Sequence, residues 1–150
     1  MDNLNLPSFD FKTKIENAKT YILDEFRHKF VKLTPEEFVR QSFTKFLVQN
    51  KNYPANLISI EYQIEINKNI RRCDIVLFNS EMKPKLIVEC KAPNIKIDKK
   101  VFEQIFDYHY ELKPKYLIVT NGISHYCMQS DENNNSYKFL EDIPKFENLV

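Results

Sequence analysis

The sequence predicts a mixed α/β (α+β) domain in which helices pack on a central sheet, and three observations predict it. Two short, β-branched apolar runs bounded by turn residues read as neighbouring strands: Cys73-Asp74-Ile75-Val76-Leu77-Phe78 and Leu86-Ile87-Val88-Glu89-Cys90-Lys91. Thr34-Pro35-Glu36-Glu37 is a helix start, with a threonine cap, proline at the first helical position, acids in the first turn and Glu37 at capping-box spacing. The order of periodic segments, α-β-β-β-α-β, lays helices against a sheet rather than against one another.

Residues 9–33 mix aromatic and basic positions without clean periodicity and predict only a short strand or helix leading in. From Thr34, Phe38, Val39, Phe43, Phe46 and Leu47 recur at helical spacing to about residue 48, a stripe suited to a sheet face. A strand over 57–66 turns at Asn67-Lys68-Asn69 into a second over 70–78. The third strand, 85–91, is followed by a loop at Ala92-Pro93-Asn94 and a helix from the cap Asp98 to Leu112, with Val101, Ile105, Tyr108 and Leu112 on one face. Residues 116–120 make a fourth strand, and 126–129 with 137–140 an edge hairpin about a polar turn at 131–136. No repeat or low-complexity linker interrupts the 150 residues, so residues 1–150 are expected to form one domain.

Hydrophobic residues at 43% and charged residues at 29% are ordinary for a soluble protein, and the net charge of +1 excludes only binding driven by bulk charge. No apolar run approaches the roughly 18 residues of a membrane span. The opening Met1-Asp2-Asn3-Leu4-Asn5-Leu6-Pro7 lacks the basic flank and apolar stretch of a signal peptide, so a cytoplasmic location without membrane contact is expected. Cys73, Cys90 and Cys127 form no C-x-x-C pair, and His28, His109 and His125 show no zinc-type spacing with them. The single glycine, Gly122, excludes both a P-loop and a dinucleotide fingerprint, each of which needs at least two.

The informative residues are the charges inside the apolar runs. Folded about the midpoint between Glu81 and Met82, the two strands set Asp74 opposite Glu89, on one face, with Cβ atoms about 4.5–5.5 Å apart. The same register opposes Cys73 and Cys90 on the other face, where small buried thiols are expected in preference to a cross-strand disulfide. A structural reading pairs Asp74 diagonally with Lys91 and Glu89 with Arg72. Buried charge costs several kcal/mol per ion unless its geometry is excellent, however, so its repetition in two core strands points to function. Asp74, Glu89 and the Cys90 backbone carbonyl would offer hard oxygen ligands to Mg²⁺. The metal would lower the pKa of a bound water and neutralise a phosphoryl oxygen, while Lys91 orients the water and stabilises the transition state. Gln104 and Tyr108 lie one helical turn apart and can face the same strand end, although alone they read as a solvent-facing residue and a core aromatic. Glu36 and Glu37 are, by default, capping acids. His125 near Cys127 makes a weak case for a thiol nucleophile, with no oxyanion device in view.

Asp74, the E-x-K of Glu89-Cys90-Lys91 and the Q-x-x-x-Y of Gln104 to Tyr108 together resemble the PD-(D/E)XK nucleases, with Cys73-Asp74 in place of the Pro-Asp dipeptide. Thr34-Pro35-Glu36-Glu37-Phe38-Val39-Arg40-Gln41, Val88-Glu89-Cys90-Lys91-Ala92-Pro93 and Val119-Thr120-Asn121-Gly122 are similar to segments of the N-terminal nuclease domain of type I restriction enzyme R subunits. The resemblance spans about residues 30–128. It implies the restriction-endonuclease-like fold and hydrolysis of DNA phosphodiester bonds with Mg²⁺, or Mn²⁺ in its place. It also implies a glutamate on the first helix at the metal site, for which Glu37 is chosen over Glu36. Gln104 and Tyr108 would touch DNA or orient active-site groups, with Lys96 and Lys99 as further DNA contacts. Such enzymes carry a translocating motor, so this chain is expected to be either a stand-alone relative or a subunit acting with a separate motor or restriction-modification subunit, and self-association is compatible with the reading. The alternative is a catalytically silent nucleic-acid-binding or assembly module of a restriction-like complex.

Overall fold

The computed structural model describes residues 3–133 and 136–150, without the His109 side chain; Asn134 and Asn135, in the expected polar turn, lie outside the described residues. Residues for which the sequence predicts only a lead-in form an antiparallel meander of three strands, β1 (Thr13–Glu16), β2 (Lys19–Asp24) and β3 (Lys29–Lys32). Its strands are short, and their periodicity is blurred by charge on both faces. The β1–β2 turn carries Asn17 and Ala18 at φ 50° and 61°, a primed-turn geometry built without glycine.

Helix α1 (Pro35–Asn50) starts as its cap predicts, the Thr34 hydroxyl accepting from the Glu37 N–H at 3.1 Å. Val39, Phe43 and Leu47 are buried and Phe46 packs beside them, whereas Phe38 turns aside to meet the Phe11 ring edge-on at 5.5 Å. The second sheet contains β4 (Ile58–Ile66), β5 (Asn69–Phe78), β6 (Pro84–Cys90), β7 (Tyr116–Thr120), β8 (His125–Asp131) and β9 (Ser136–Leu140), paired in that order. Every neighbour is antiparallel except β6–β7, the parallel step that α2 (Lys99–Leu112) connects. The sheet is therefore mixed, as expected.

Alternation along the central strands sorts the core into two layers. Ile75, Leu77, Leu86 and Val88 meet α1, while Val76, Ile87, Leu117 and Val119 meet Val101, Ile105 and Tyr108 of α2. Ile75 pairs with Val88, the register obtained by folding about Glu81 and Met82, so Asp74 and Glu89 are the next positions along.

The expected opposition of Cys73 and Cys90 does not occur. Cys73 packs in the α2 layer and Cys90 in the α1 layer, and all three cysteines are free and buried. The cause is a loss of alternation shared by two strands. In β4, Ile60 packs toward α1 and Tyr62 toward α2; in β5, Ile75 and Cys73 do the same. Between them lie Asp74 and Glu61, whose φ of 54° is a left-handed conformation inside a strand.

Candidate active site

Glu89 and Lys91 share the α2 face of the strand β6 leads into, because they are two residues apart. Glu89 is 6% exposed, and the Lys91 ammonium lies 3.4 Å from its Oε1. Helix α2 closes the arrangement from above. The Gln104 amide bridges the pair, its Nε2 donating to Glu89 Oε1 at 3.1 Å while its Oε1 accepts from Lys91 Nζ at 3.1 Å. One turn on, the buried Tyr108 hydroxyl donates to the Arg72 carbonyl at 3.1 Å and lies 3.4 Å from Glu89 Oε2. Arg71 covers the Tyr108 ring at 4.8 Å and pairs with Asp107 at 3.0 Å.

Asp74 sits where β5 and β6 stop pairing. Its Oδ2 accepts from the Cys90 N–H at 2.7 Å, so the carboxylate takes the place of a ladder partner. Burial, followed by the charge of Glu89, holds the Asp74 carboxyl well above the usual range; the Cys90 N–H opposes this, and Glu61 and Glu36 add to it. Burial likewise raises Glu89, against the opposing charge and hydrogen bonding of Lys91. Neither ion pair of the structural reading forms: Lys91 is paired with Glu89, and Asp74 makes no salt bridge among the described residues.

Glu37 is engaged by basic and amide side chains. Its carboxylate accepts from Arg27 at 3.0 Å, from the Arg40 Nε at 2.9 Å and from Gln41 at 3.3 Å, with Arg40 Nη2 closer still. Arg40 is 2% exposed and also binds Asp24 at 2.8 Å, and Asp24 binds Arg27 at 2.5 Å, so Glu37 belongs to a structural network joining α1 to the meander. The first-turn acid whose charge reaches Asp74 and Glu89 is the exposed Glu36. A signal for this was present: Glu37 and Arg40 are three apart, a spacing at which side chains meet. Glu61, by contrast, had no sequence signal, since nothing marks a left-handed residue in a strand.

Lys96 and Lys99 lie exposed on the segment from Lys91 into α2; Asn121 holds that segment through the Ile95 carbonyl at 2.9 Å, and Lys99 approaches Glu103 at 3.9 Å. His125 has both ring nitrogens engaged, with Thr120 Oγ1 at 2.7 Å and the Asn5 carbonyl at 2.9 Å. Burial pushes the Cys127 thiol up to about 12, so that pair is inert as a nucleophile.

Among the described residues, no group of three or more His, Cys, Asp and Glu side chains is positioned to hold a metal ion as it stands. The donor chemistry nevertheless fits a hard divalent cation: two adjacent carboxylates, both raised by burial, share a strand end with a third and a fourth acid nearby. A six-stranded mixed sheet with one helix on each face, and a parallel step joined by the second helix, is a restriction-endonuclease-like core. The chain belongs to the family described as type I restriction enzyme R protein N terminus (HSDR_N), whose model matches residues 35–144. No curated protein matches it in sequence. Among solved structures it is similar to a fragment of a candidate HsdR subunit of a type I restriction enzyme from Vibrio vulnificus YJ016, at TM-score 0.54 and 21% identity, covering 78% of this chain and 24% of that one. A candidate nuclease belonging to DUF820 from Anabaena variabilis ATCC 29413 gives TM-score 0.47 and 11% identity, over 85% of this chain and 79% of that one. The chain thus spans about a quarter of the HsdR fragment it resembles. No helix among the described residues is long and apolar enough to cross a membrane.

Proposed function

We propose that this restriction nuclease domain is a metal-dependent endodeoxyribonuclease that hydrolyses DNA phosphodiester bonds at the β5–β6 strand end. The observation that carries the reading is the Gln104 bridge, which joins a lysine cation to a buried carboxylate beside it. Asp74 and Glu89, with the Cys90 carbonyl, would hold Mg²⁺ or Mn²⁺, and Glu36 replaces Glu37 as the helix acid near it. The ion would supply Lewis-acid neutralisation of a phosphoryl oxygen and activation of water.

The residues of the chain do the rest. Lys91 places a point charge where negative charge develops on the phosphoryl group and orients the attacking water, and its position costs no reorganisation because Gln104 and Glu89 already hold it. Gln104 keeps the Glu89 carboxylate aimed along the strand end, and the Tyr108 hydroxyl lies against its other oxygen. Lys96 and Lys99 stand on the approach to this end and serve as DNA phosphate contacts. A motor or restriction-modification subunit is the expected partner.

The test is nicking of supercoiled plasmid in Mg²⁺ or Mn²⁺, with and without EDTA, alongside Lys91→Ala. Lost transition-state electrostatics should lower the rate by about 10²–10³. Binding of a DNA duplex in Ca²⁺ should weaken far less. A wild type that binds DNA but never nicks it, even with a candidate motor subunit added, would make this a binding or assembly module.

A further inference from the structure

The meander β1–β3 lies outside the residues matched by the family model, and the site described above does not use it. Its two faces differ sharply. Ile22 and Asp24 point inward, where Asp24 is clamped by the buried Arg40. The opposite face follows from the register: Lys14 pairs with Tyr21 and Tyr21 with Lys32, Glu16 with Lys19, and Leu23 with Phe30, while Lys12 opposes Leu23 through its carbonyl. That face therefore carries Lys12, Lys14, Lys19 and Lys32, interleaved with Tyr21 and Phe30. All four lysines are exposed and both rings are half-buried. Glu16 is the one acid in these rows, and it is taken up by Lys14 at 3.2 Å, which also sits over the Phe30 ring at 4.5 Å.

A lysine-rich sheet face is usually no more than solvated surface. Three features argue otherwise here. The face is rigidly mounted, since the Asp24–Arg27–Arg40–Glu37 network ties the meander to α1. It is concentrated positive charge in a chain whose net charge is only +1. It also adjoins the end of α1 that faces the carboxylates: Leu33 N–H donates to the Thr20 carbonyl at 3.0 Å, Thr34 caps the helix, and Glu36 in its first turn is felt by Asp74.

We infer that the outer face of the β1–β3 meander is a second contact surface for double-stranded DNA, holding phosphates of the duplex that flanks the strand-end site through Lys12, Lys14, Lys19 and Lys32. The choice of ligand rests on the nuclease reading. The fit is charge to charge and independent of base sequence: strands about 4.8 Å apart and rows about 7 Å apart spread the four ammonium groups over an area comparable to a short stretch of one phosphate strand. Tyr21 and Phe30 stiffen the lysine stems and supply apolar contact to the sugars.

The experiment measures anisotropy of a labelled 25-base-pair duplex in Ca²⁺ from about 0.05 to 0.3 M salt, a range over which phosphate contacts dominate affinity. Lys14→Gln/Lys19→Gln/Lys32→Gln should flatten the slope of log K against log[salt] by about 2.7, at about 0.9 per lysine, and weaken binding on the order of 10²-fold at 0.1 M. The corresponding triple arginine variant should bind like wild type. Lys83→Gln/Lys113→Gln/Lys138→Gln makes the same change of charge on other, exposed parts of the surface and should leave the slope nearly intact. An unchanged slope in the meander variant, an equal loss in the control triple, or a wild type with no salt-dependent binding would each overturn the inference. Failure of the nuclease reading shows separately, as DNA bound through the meander but not cut in Mg²⁺ or Mn²⁺.

Discussion

Asp74→Asn tests whether the strand-end carboxylates are built for a cation. Among the described residues the side chain has one direct polar partner, the Cys90 N–H at 2.7 Å, and an asparagine amide oxygen accepts the same bond. The substitution therefore removes charge without leaving a buried donor unsatisfied, which would otherwise cost about 1–3 kcal/mol. What it relieves is visible in the cause of the raised Asp74 carboxyl: burial first, then the charge of Glu89 beside it. In EDTA the variant should accordingly be at least as stable as wild type. With Mg²⁺ the order should reverse, because an ion that binds only the folded arrangement stabilises by RT ln(1 + [M]/Kd). At ten times Kd that is about 1.4 kcal/mol, or a rise of about 3–6 °C in Tm for a chain of this size. The assay is thermal unfolding followed by circular dichroism across a Mg²⁺ titration. Retention of the full Mg²⁺ shift by Asp74→Asn would put the ion elsewhere. A loss of several kcal/mol in EDTA would make Asp74 a structural acid and refute the argument from repulsion.

Other outcomes follow from the same geometry. Glu36→Gln should diminish the Mg²⁺ stabilisation and leave metal-free stability nearly unchanged, whereas Glu37→Gln should do the opposite, both read in that titration. Arg40→Ala should cost about 3–5 kcal/mol in urea unfolding, because it strands the buried Asp24 and Glu37 carboxylates. The stability that Asp24 contributes is also pH-dependent. Burial pushes its carboxyl up, but hydrogen bonds and charge from Arg27 and Arg40 outweigh this and hold it below the usual value. A depressed folded pKa means the contribution is complete above the unfolded value, about 4, and fades as pH falls through the folded one, so the stability gap between wild type and Asp24→Asn should shrink in acid. Ala18→Gly should raise stability by about 0.5–1 kcal/mol in urea unfolding, since it relieves a left-handed alanine at φ 61° at the cost of unfolded-state entropy.

The central sheet was legible because each of its signals is local and strong. Helix α1 has a cap, a proline and an apolar stripe; β5 and β6 are apolar runs joined by a loop that Asn79 folds by accepting from the Glu81 and Lys83 N–H groups at 2.9 and 3.0 Å. The charges on those strands stood out because such positions rarely tolerate charge. The meander was illegible for the converse reason. Its strands have one buried face of little more than Ile22 and Asp24, and what fixes them is a tertiary ion network whose members lie as far apart as Asp24 and Arg40. The misplaced Cys73 has the same kind of origin. Strict alternation predicts its face correctly only if no residue between Cys73 and Ile75 breaks the pleat, and the break at Glu61 and Asp74 is a feature of two paired strands together.

The two adjacent glutamates at the start of α1 show how such a network bears on the site itself. Helical geometry points consecutive side chains about 100° apart, so only one of Glu36 and Glu37 can face the strand end. Thr34 fixes Glu37 as the third helical residue by accepting its N–H, and the third position looks along the same side as Arg40. Arg40 is buried against Asp24 and needs carboxylates to be tolerated there, and Glu37 supplies one. With Glu37 taken up in this way, Glu36 is the first-turn acid whose charge is felt by Asp74 and Glu89. The structural pair and the acid near the site are therefore not independent choices. Removing Arg40 would release Glu37 and α1 together, and a loss of Mg²⁺ response in Arg40→Met that exceeds its loss of stability would be the mark of that coupling.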